Sequence, residues 1–166
     1  MDLYLVRHGH AGDPFPQDGA RDARRALTAE GREKTREVAQ GLRELGCMPD
    51  RMLTSPLLRA VETAKILASV LAPRLQPETL ECLQPGGSFA QFMKWLDEIE
   101  TGRLMAVGHL PDLAEFAQRC LTGREAFRME FKKAAVCCLS FDGEPAAGRA
   151  QLEWLMQPAA LRRLAR

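Results

Sequence analysis

Short apolar runs alternate with amphipathic helical patterns from Met1 to Gly123. Residues 3–6, 52–53 and 104–107 form apolar runs, and each run is followed by a longer segment with helical spacing of its apolar residues. Strands that alternate with helices form a mostly parallel sheet, because the right-handed crossovers place helices on both of its faces. The alternation therefore predicts an α/β fold, a three-layer αβα arrangement with a mostly parallel central sheet.

Capping residues predict where the helices begin. Thr28 is a good helix cap, and Gly46 ends the helical pattern that follows it. Ser55 precedes a proline that suits a first helical position, so we expect the next helix to begin at Pro56. Ser88 is the third expected cap, and a fourth helix is predicted for residues 111–121.

The remaining strands are predicted from their composition and turns. Residues 75–83 are expected to form a strand at the edge of the sheet, because Pro77 interrupts the run. Residues 134–141 and 151–156 are expected to pair as a hairpin across Asp142 and Gly143. Residues 13–26 contain prolines and a glycine and are predicted to form a loop that carries three exposed arginines, Arg21, Arg24 and Arg25.

Composition narrows the class of protein. A length of 166 residues predicts a single domain over residues 1–166, and a formal net charge of +1 argues against a general nucleic-acid binder. The apolar runs are far shorter than the roughly 20 residues of a membrane span. The amino terminus lacks the pattern of a signal peptide, and the five cysteines include no Cys-x-x-Cys pair. We therefore expect a cytoplasmic protein with reduced thiols and no membrane association.

Arginine and histidine residues follow the ends of the predicted strands. Arg7 and His8 follow the first strand, Arg59 follows the second, and His109 follows the strand at residues 104–107. Ligands of open parallel sheets bind beyond the carboxyl ends of the strands. Arginine presents a fork of donors to phosphate oxygens, and histidine can act as a nucleophile or a proton carrier. The pattern predicts a pocket that binds a phosphoryl group and carries out chemistry on it.

The same residues resemble a known family. The segments Arg7-His8-Gly9, Ser55-Pro56-Leu57-Leu58-Arg59-Ala60 with Thr63, and Gly108-His109 resemble the signature of the histidine phosphatase superfamily, which also contains the phosphoglycerate mutases. Three further features are similar to the small bacterial phosphohistidine phosphatases of the SixA type. They are the short chain, Leu27-Thr28-x-x-Gly31, and Leu83-Gln84-Pro85-Gly86 before His109-Leu110-Pro111.

The resemblance implies a phosphoglycerate mutase-like fold and a two-step displacement that needs no cofactor or metal. His8 would be the nucleophile that takes the phosphoryl group, and water would then release it. Arg7, Arg59 and His109 would hold the phosphoryl oxygens, with His109 protonated and counted with His8 among the catalytic residues. His10 stands where many family members have an acidic or small polar residue, so it is left out of this set.

The substrate and the general acid stay open at the level of sequence. Glu81, Asp13 and Asp18 are candidates for an acid, but none lies in a family motif. A phosphohistidine leaving group needs little protonation, which favours phosphohistidine on a partner protein over phosphate esters of small molecules. The arginines at positions 21, 24 and 25 could attract an acidic partner.

Three other functions compete with this interpretation. His8-x-His10 after a first strand resembles the histidine pair of metal-dependent amidohydrolases, but the chain has only three histidines and is too short for a roughly 250-residue barrel. A non-catalytic module that binds phosphoprotein is the second alternative, against which the intact His8 argues. Activity after chelation and a turnover assay would separate these two functions from a phosphatase. The third alternative is a phosphoglycerate mutase, against which the short chain and the lack of the acidic residue that such enzymes usually carry soon after Arg-His-Gly both argue.

Overall fold

A six-stranded sheet forms the centre of the protein, whose computed structural model describes residues 1–15 and 17–165. The strands are β1 (Asp2–Arg7), β2 (Arg51–Thr54), β3 (Glu78–Thr79), β4 (Arg103–Gly108), β5 (Val136–Ser140) and β6 (Gln151–Met156). Their order across the sheet is β3-β2-β4-β1-β5-β6. Strands β3, β2, β4 and β1 are parallel, whereas β5 and β6 pair antiparallel with their neighbours. The sheet is therefore mostly parallel, as predicted.

Helices cover both faces of this sheet. They are α1 (Gly19–Ala23), α2 (Ala29–Glu44), α3 (Leu58–Leu71), α4 (Phe89–Asp97), α5 (Asp112–Thr122) and α6 (Pro158–Leu164). One core contains inner residues of α4 and α5, and the other contains inner residues of α2, α3 and α6. The predicted three-layer αβα arrangement is confirmed.

Strand alternation divides side chains between the two cores. In β1, Leu3 and Leu5 belong to the core with α4 and α5, whereas Tyr4 and Val6 belong to the other core. The same alternation separates the adjacent residues Cys137 and Cys138 in β5. Successive strand residues point to opposite faces, so both faces of the sheet can be buried. All five cysteines are buried and unbridged.

Two of the predicted helix starts are confirmed and one is wrong. The Thr28 hydroxyl accepts a hydrogen bond from the Gly31 backbone N–H, and Ser88 caps α4 in the same way. However, α3 begins at Leu58, not at Pro56, and its cap position has no side-chain hydrogen bond. The Ser55 hydroxyl lies next to His109 instead, so a contact distant in sequence overrides its local capping preference.

Two predicted segments differ from the structure, and one helix was not predicted. Only Glu78–Thr79 forms the edge strand expected over residues 75–83, because residues 81–83 turn into a short 3-10 helix. The segment expected to be a loop contains α1, which Asp18 caps by accepting from the Arg21 N–H. Pro16 of that segment lies outside the described residues. The predicted hairpin of β5 and β6 is confirmed, but α6 was not predicted.

None of the helices in residues 1–15 and 17–165 has both the length and the apolar character needed to span a bilayer.

Candidate active site

The two strands β1 and β4 lie side by side and end together, which brings their following residues into contact. Arg7 is paired with Gly108 in the parallel register, and the His8 N–H donates to the Gly108 carbonyl at 3.0 Å. The rings of His8 and His109 consequently lie with centroids 5.0 Å apart. The structure therefore brings the two predicted histidines together at the carboxyl edge of the sheet.

His8 is held as a neutral imidazole with a defined tautomer. Its ring is buried, and Nδ1 lies 2.7 Å from the Gly9 carbonyl oxygen. A carbonyl oxygen only accepts, so Nδ1 must carry the proton, and the neutral ring then has its lone pair at Nε2. Burial lowers the pKa of His8 to about 3, and the positive charges of Arg59 and Arg7 act in the same direction. The ring is ready to act as a nucleophile at Nε2.

Gly9 anchors the loop that carries His8. Its N–H donates to the Thr63 hydroxyl at 2.9 Å, and that hydroxyl donates to the Arg59 carbonyl at 2.7 Å. A Cβ at position 9 would lie 2.5 Å from Oγ1 of Thr35 in α2. Only glycine fits this space without displacement, so the loop is fixed between α2 and α3.

Arg59 lies in the first turn of α3 with its guanidinium almost completely buried. Nη1 donates to the carbonyl of Asp22 at 2.8 Å and lies 3.1 Å from its carboxylate. The carboxylate of Glu62, one turn further along α3, pairs with Arg32. Asp22 therefore positions Arg59 from one side, while Nε has no hydrogen-bond partner within the described residues.

The guanidinium of Arg7 is likewise only partly hydrogen-bonded. Nη1 donates to the Phe131 carbonyl at 2.7 Å, whereas the buried Nε lacks a hydrogen-bond partner among residues 1–15 and 17–165. Burial lowers the pKa of both Arg7 and Arg59. Buried donors are normally satisfied, so two unpaired guanidinium donors fit a site that receives an anion.

His109 contacts a serine that the sequence had assigned to a helix cap. Nε2 lies 2.9 Å from the Ser55 hydroxyl, and that hydroxyl oxygen also accepts from the Leu57 N–H at 3.3 Å. The Ser55 hydroxyl can donate its proton to Nε2, and in that arrangement Nδ1 carries the proton of the neutral ring. Burial and the nearby Arg59 lower the pKa of His109 to about 3, so the ring is neutral without an anion, whereas the predicted protonated form concerns the site that holds a phosphoryl group.

The three candidate acids do not contact either histidine within the described residues. Glu81 is exposed and accepts a hydrogen bond from Gln84, and Asp18 caps α1. Asp13 is exposed as well. Asp112 was missed: it is a buried carboxyl that accepts from the Gly86 N–H at 3.0 Å, and burial raises its pKa. The one sequence signal for Asp112 is its position three residues after His109.

His8 and His10 have different surroundings. His10 is exposed, and its Nδ1 lies 3.2 Å from the Thr28 hydroxyl, while His8 is buried against His109. Across residues 1–15 and 17–165, no cluster of three or more His, Cys, Asp or Glu side chains has the arrangement of a metal site. The pair His8-x-His10 therefore does not form the converging ligand pair that a metal hydrolase needs.

The arginines of residues 13–26 are used in local contacts. Arg25 donates to the carbonyls of Ala11 and Gly12 and pairs with Asp22 at 3.0 Å. The guanidinium of Arg21 stacks over the ring of Phe15 at 3.9 Å from its centroid. These contacts stabilise the segment that carries Asp22, so Arg25 in particular is not an exposed steering charge.

Comparison with known proteins agrees with this geometry. The chain is 42% identical to an uncharacterized protein of Picosynechococcus sp. over 140 residues, which cover 82% of each chain. It is 26% identical over 165 residues to the phosphohistidine phosphatase SixA of Escherichia coli, covering 98% of this chain and 97% of that protein. The structure of the protein histidine phosphatase SixA complexed with tungstate matches with a TM-score of 0.83 at 26% identity, over 97% of this chain and 99% of the other.

The arrangement of sheet and helices is the phosphoglycerate mutase-like fold. The sequence model described as histidine phosphatase superfamily (branch 1) matches residues 3–85, half of the chain, and this segment contains Arg7, His8 and Arg59. With the fold, the paired histidines and this match in agreement, the chain belongs to the histidine phosphatase superfamily.

Proposed function

We propose that the protein is a phosphatase that hydrolyses phosphohistidine on a partner protein through a phosphoryl intermediate on His8. The observation that carries this proposal is the tautomer of His8, whose Nδ1 donates to the Gly9 carbonyl and whose Nε2 holds the lone pair. A buried, neutral and oriented imidazole next to two arginines suits in-line attack on phosphorus.

The reaction is a pair of displacements. Nε2 of His8 attacks phosphorus, and the bond from phosphorus to the partner's imidazole nitrogen breaks. The partner ring, protonated on its other nitrogen, leaves as a neutral imidazole. Water then attacks the phosphoryl group on His8, the new phosphorus–nitrogen bond breaks, and dihydrogen phosphate leaves with the protons of that water. His8 returns to its neutral form, so atoms and charge balance without a further reactant.

Arg7, Arg59 and His109 stabilise the transferring group in this proposal. The buried Nε atoms of Arg7 and Arg59 lack partners within the described residues, and a phosphoryl oxygen would satisfy them. A bound dianion also favours the cationic form of His109, which reverses the effect of the two arginines on its pKa. Charge stabilisation by such positioned donors carries much of the catalysis of phosphoryl transfer.

The absence of contact between the candidate acids and the histidines favours phosphohistidine over phosphate esters. An alkoxide leaving group is strongly basic and needs a positioned proton donor, whereas imidazole has a conjugate acid with a pKa of about 6.5. Glu81, Asp13 and Asp18 do not contact His8 or His109 within the described residues. The E. coli relative similar over nearly the whole chain is a phosphohistidine phosphatase, which also supports the proposal.

The test for the nucleophile is a rapid-quench experiment with a labelled phosphohistidine protein. The wild-type protein should accumulate an acid-labile, base-stable phosphoenzyme, and His8→Ala should not. His10→Ala is the matched control, because His10 is exposed and lies outside the histidine pair. Label on the His8→Ala protein would show that another residue is the nucleophile.

The test for the substrate class compares kcat/KM for a phosphohistidine-bearing domain with kcat/KM for sugar phosphates and phosphoserine peptides. We expect the phosphohistidine domain to be preferred. Equal or higher values for the esters would assign the protein to the alternative class, the phosphatases of small phosphate esters.

A further inference from the structure

A cationic cavity of about 490 Å³ adjoins the candidate phosphate site and shares Arg7 with it. Residues from α2, from the segment before β5 and from α6 line this cavity. Five of them carry cationic side chains, and one is acidic: Arg7, Lys34, Lys132, Lys133 and Arg162 against Glu30. The formal net charge of the whole chain is only +1, so this is a local concentration of positive charge.

Two of these five cations form ion pairs with neighbouring acids, and three do not within the described residues. Lys34 pairs with Glu30, and Arg162 pairs with Glu37. No carboxylate of residues 1–15 or 17–165 lies within ion-pair distance of Lys132 or Lys133. The unpaired positive charge of the cavity therefore comes from these two adjacent lysines and from Arg7, which also belongs to the candidate phosphate site.

Hydrogen bonds hold the backbone of the lysine segment against the candidate active site. The Phe131 carbonyl accepts from Nη1 of Arg7, and the Ala134 N–H donates to the carbonyls of Arg7 and His8, both at 3.1 Å. The Lys132 N–H donates to Oε1 of Gln157 at 3.0 Å. Because both ends of the segment are fixed, the positions of the two lysines relative to Arg7 are set before a substrate binds.

Lys133 is half-buried, and its pKa is lowered by burial and by the positive charges of Arg7, Arg25 and Arg59, against the opposing charge of Asp13. Its ammonium group is therefore within the electrostatic field of the candidate phosphate site. Lys132 is exposed at the mouth of the cavity.

We propose that this cavity is a second anion subsite that receives a carboxylate side chain of the partner protein, next to the partner's phosphohistidine. The inference rests on the proposed function, and it adds that the preferred partner has an acidic residue beside its phosphohistidine. Lysine ammonium groups on flexible stems suit a carboxylate that approaches from the surface, whereas the buried arginines suit the fixed geometry of a phosphoryl group. Complementary charge at such a rim raises affinity and selects the partner.

The test uses two synthetic phosphohistidine peptides that differ only in the residues beside the phosphohistidine, two glutamates in one and two glutamines in the other. We expect the kcat/KM of wild-type protein to be roughly tenfold higher for the glutamate peptide, mainly because its KM is lower. This is the preference that two partly exposed ion pairs between the lysines and the glutamates would produce. The double variant Lys132→Gln/Lys133→Gln should bring this ratio close to unity. Lys65→Gln is the matched control, since Lys65 is an exposed lysine on α3 away from the cavity lining, and it should keep the wild-type ratio.

A second measurement needs no turnover and so separates this proposal from the proposed function. Fluorescence anisotropy with the same peptides lacking the phosphoryl group should show that wild-type protein binds the glutamate peptide more tightly. Raising the salt from 0.1 M to about 1 M should remove the difference, because the screening length falls from about 10 Å to about 3 Å.

Equal binding of the two unphosphorylated peptides by wild-type protein would overturn the subsite. An equal loss of kcat/KM on both phosphopeptides in the double variant would also overturn it, because the lysines would then serve the phosphoryl group itself. If neither phosphopeptide is turned over while the anisotropy difference persists, the proposed function fails and the subsite stands.

Discussion

Ser55 illustrates how one hydroxyl group orients a candidate catalytic ring. It accepts from the Leu57 N–H and lies 2.9 Å from Nε2 of His109, so it can fix the proton of the neutral ring on Nδ1. We expect Ser55→Ala to lower kcat/KM by about tenfold, the size of a lost buried hydrogen bond, and Ser55→Thr to restore part of the loss. Kinetics with phosphoramidate and nitrogen NMR of the histidine tautomers would measure both effects.

Ser69→Ala is the control for this prediction, because the Ser69 hydroxyl donates only to the Ile66 carbonyl on the outer side of α3. A Ser55→Ala protein with wild-type turnover and an unchanged His109 tautomer would show that this contact does not orient the ring.

The protonation of the two buried histidines gives a second prediction at the scale of residues. Burial and neighbouring cations lower the pKa of both His8 and His109 to about 3, so both rings should stay neutral from pH 8 to pH 5. In His10→Gln protein only these two histidine signals remain, because the chain has three histidines. Proton NMR should then show no titration in this range. Tungstate should raise the pKa of His109, because a bound dianion favours the cation.

A titration midpoint near 6.5 in the anion-free protein would contradict the buried, neutral state of the histidine concerned. Such a result would also remove the reason for expecting proton uptake when an anion binds.

The close approach of α2 and α6 gives a prediction at the scale of elements. A Cβ added to Gly41 in α2 would lie 2.0 Å from the Leu161 carbonyl oxygen, which is backbone and cannot move without displacing α6. Alanine favours a helix over glycine by about 1 kcal/mol, but overpacking against backbone at this distance costs about 2–3 kcal/mol. We expect Gly41→Ala to lower the free energy of unfolding by roughly 1–2 kcal/mol, measured by urea denaturation.

Gly143→Ala is the matched control, because a Cβ at Gly143 has no heavy-atom neighbour within 4 Å among the described residues. It should leave the free energy of unfolding within about 0.5 kcal/mol of the wild-type value. A Gly41→Ala protein as stable as wild type would mean that α2 and α6 can separate without loss of packing.

Stability against acid is a property of the whole molecule that follows from the same histidines. Unfolded histidines titrate near pH 6.5, whereas His8 and His109 have a pKa of about 3 in the folded protein. Between these values the unfolded chain binds more protons, so the free energy of unfolding must fall as the pH is lowered from about 6.5. Urea denaturation from pH 7 to pH 4 should show this loss, and the double variant His8→Gln/His109→Gln should show a smaller slope.

The carboxyl groups do not obscure this comparison. Burial would raise the pKa of Asp22, but hydrogen bonds from the Phe15 N–H and Arg25 outweigh it and lower the pKa from 3.8. Its contribution to stability is therefore lost as the pH falls below about 3.9, in wild type and the double variant alike. The raised pKa of Asp112 acts in the opposite direction, but it is present in both proteins and cancels in the difference between them. Equal slopes for wild type and the double variant would contradict the assignment to the histidines, and His10→Gln should keep the wild-type slope.

Local physics made a large part of this protein predictable from its sequence. The caps at Thr28 and Ser88 and the hairpin of β5 and β6 follow from interactions among residues close together in the chain. The alternation of strands and helices placed Arg7, His8 and His109 at one edge of the sheet, because parallel strands in adjacent positions end together. These features need only the periodicity of apolar residues and the preferences of capping and turn residues.

Only the tertiary structure decided which partners the site residues have. Ser55 contacts His109 across 54 positions, although local preference assigned Ser55 to a helix cap. Asp22 contacts Arg59 across 37 positions. The same holds for α6, whose place depends on the approach of Gly41 to Leu161, and for the lysine segment fixed against Arg7. Such contacts depend on which surfaces pack together, and packing is a property of the whole chain that no local pattern records.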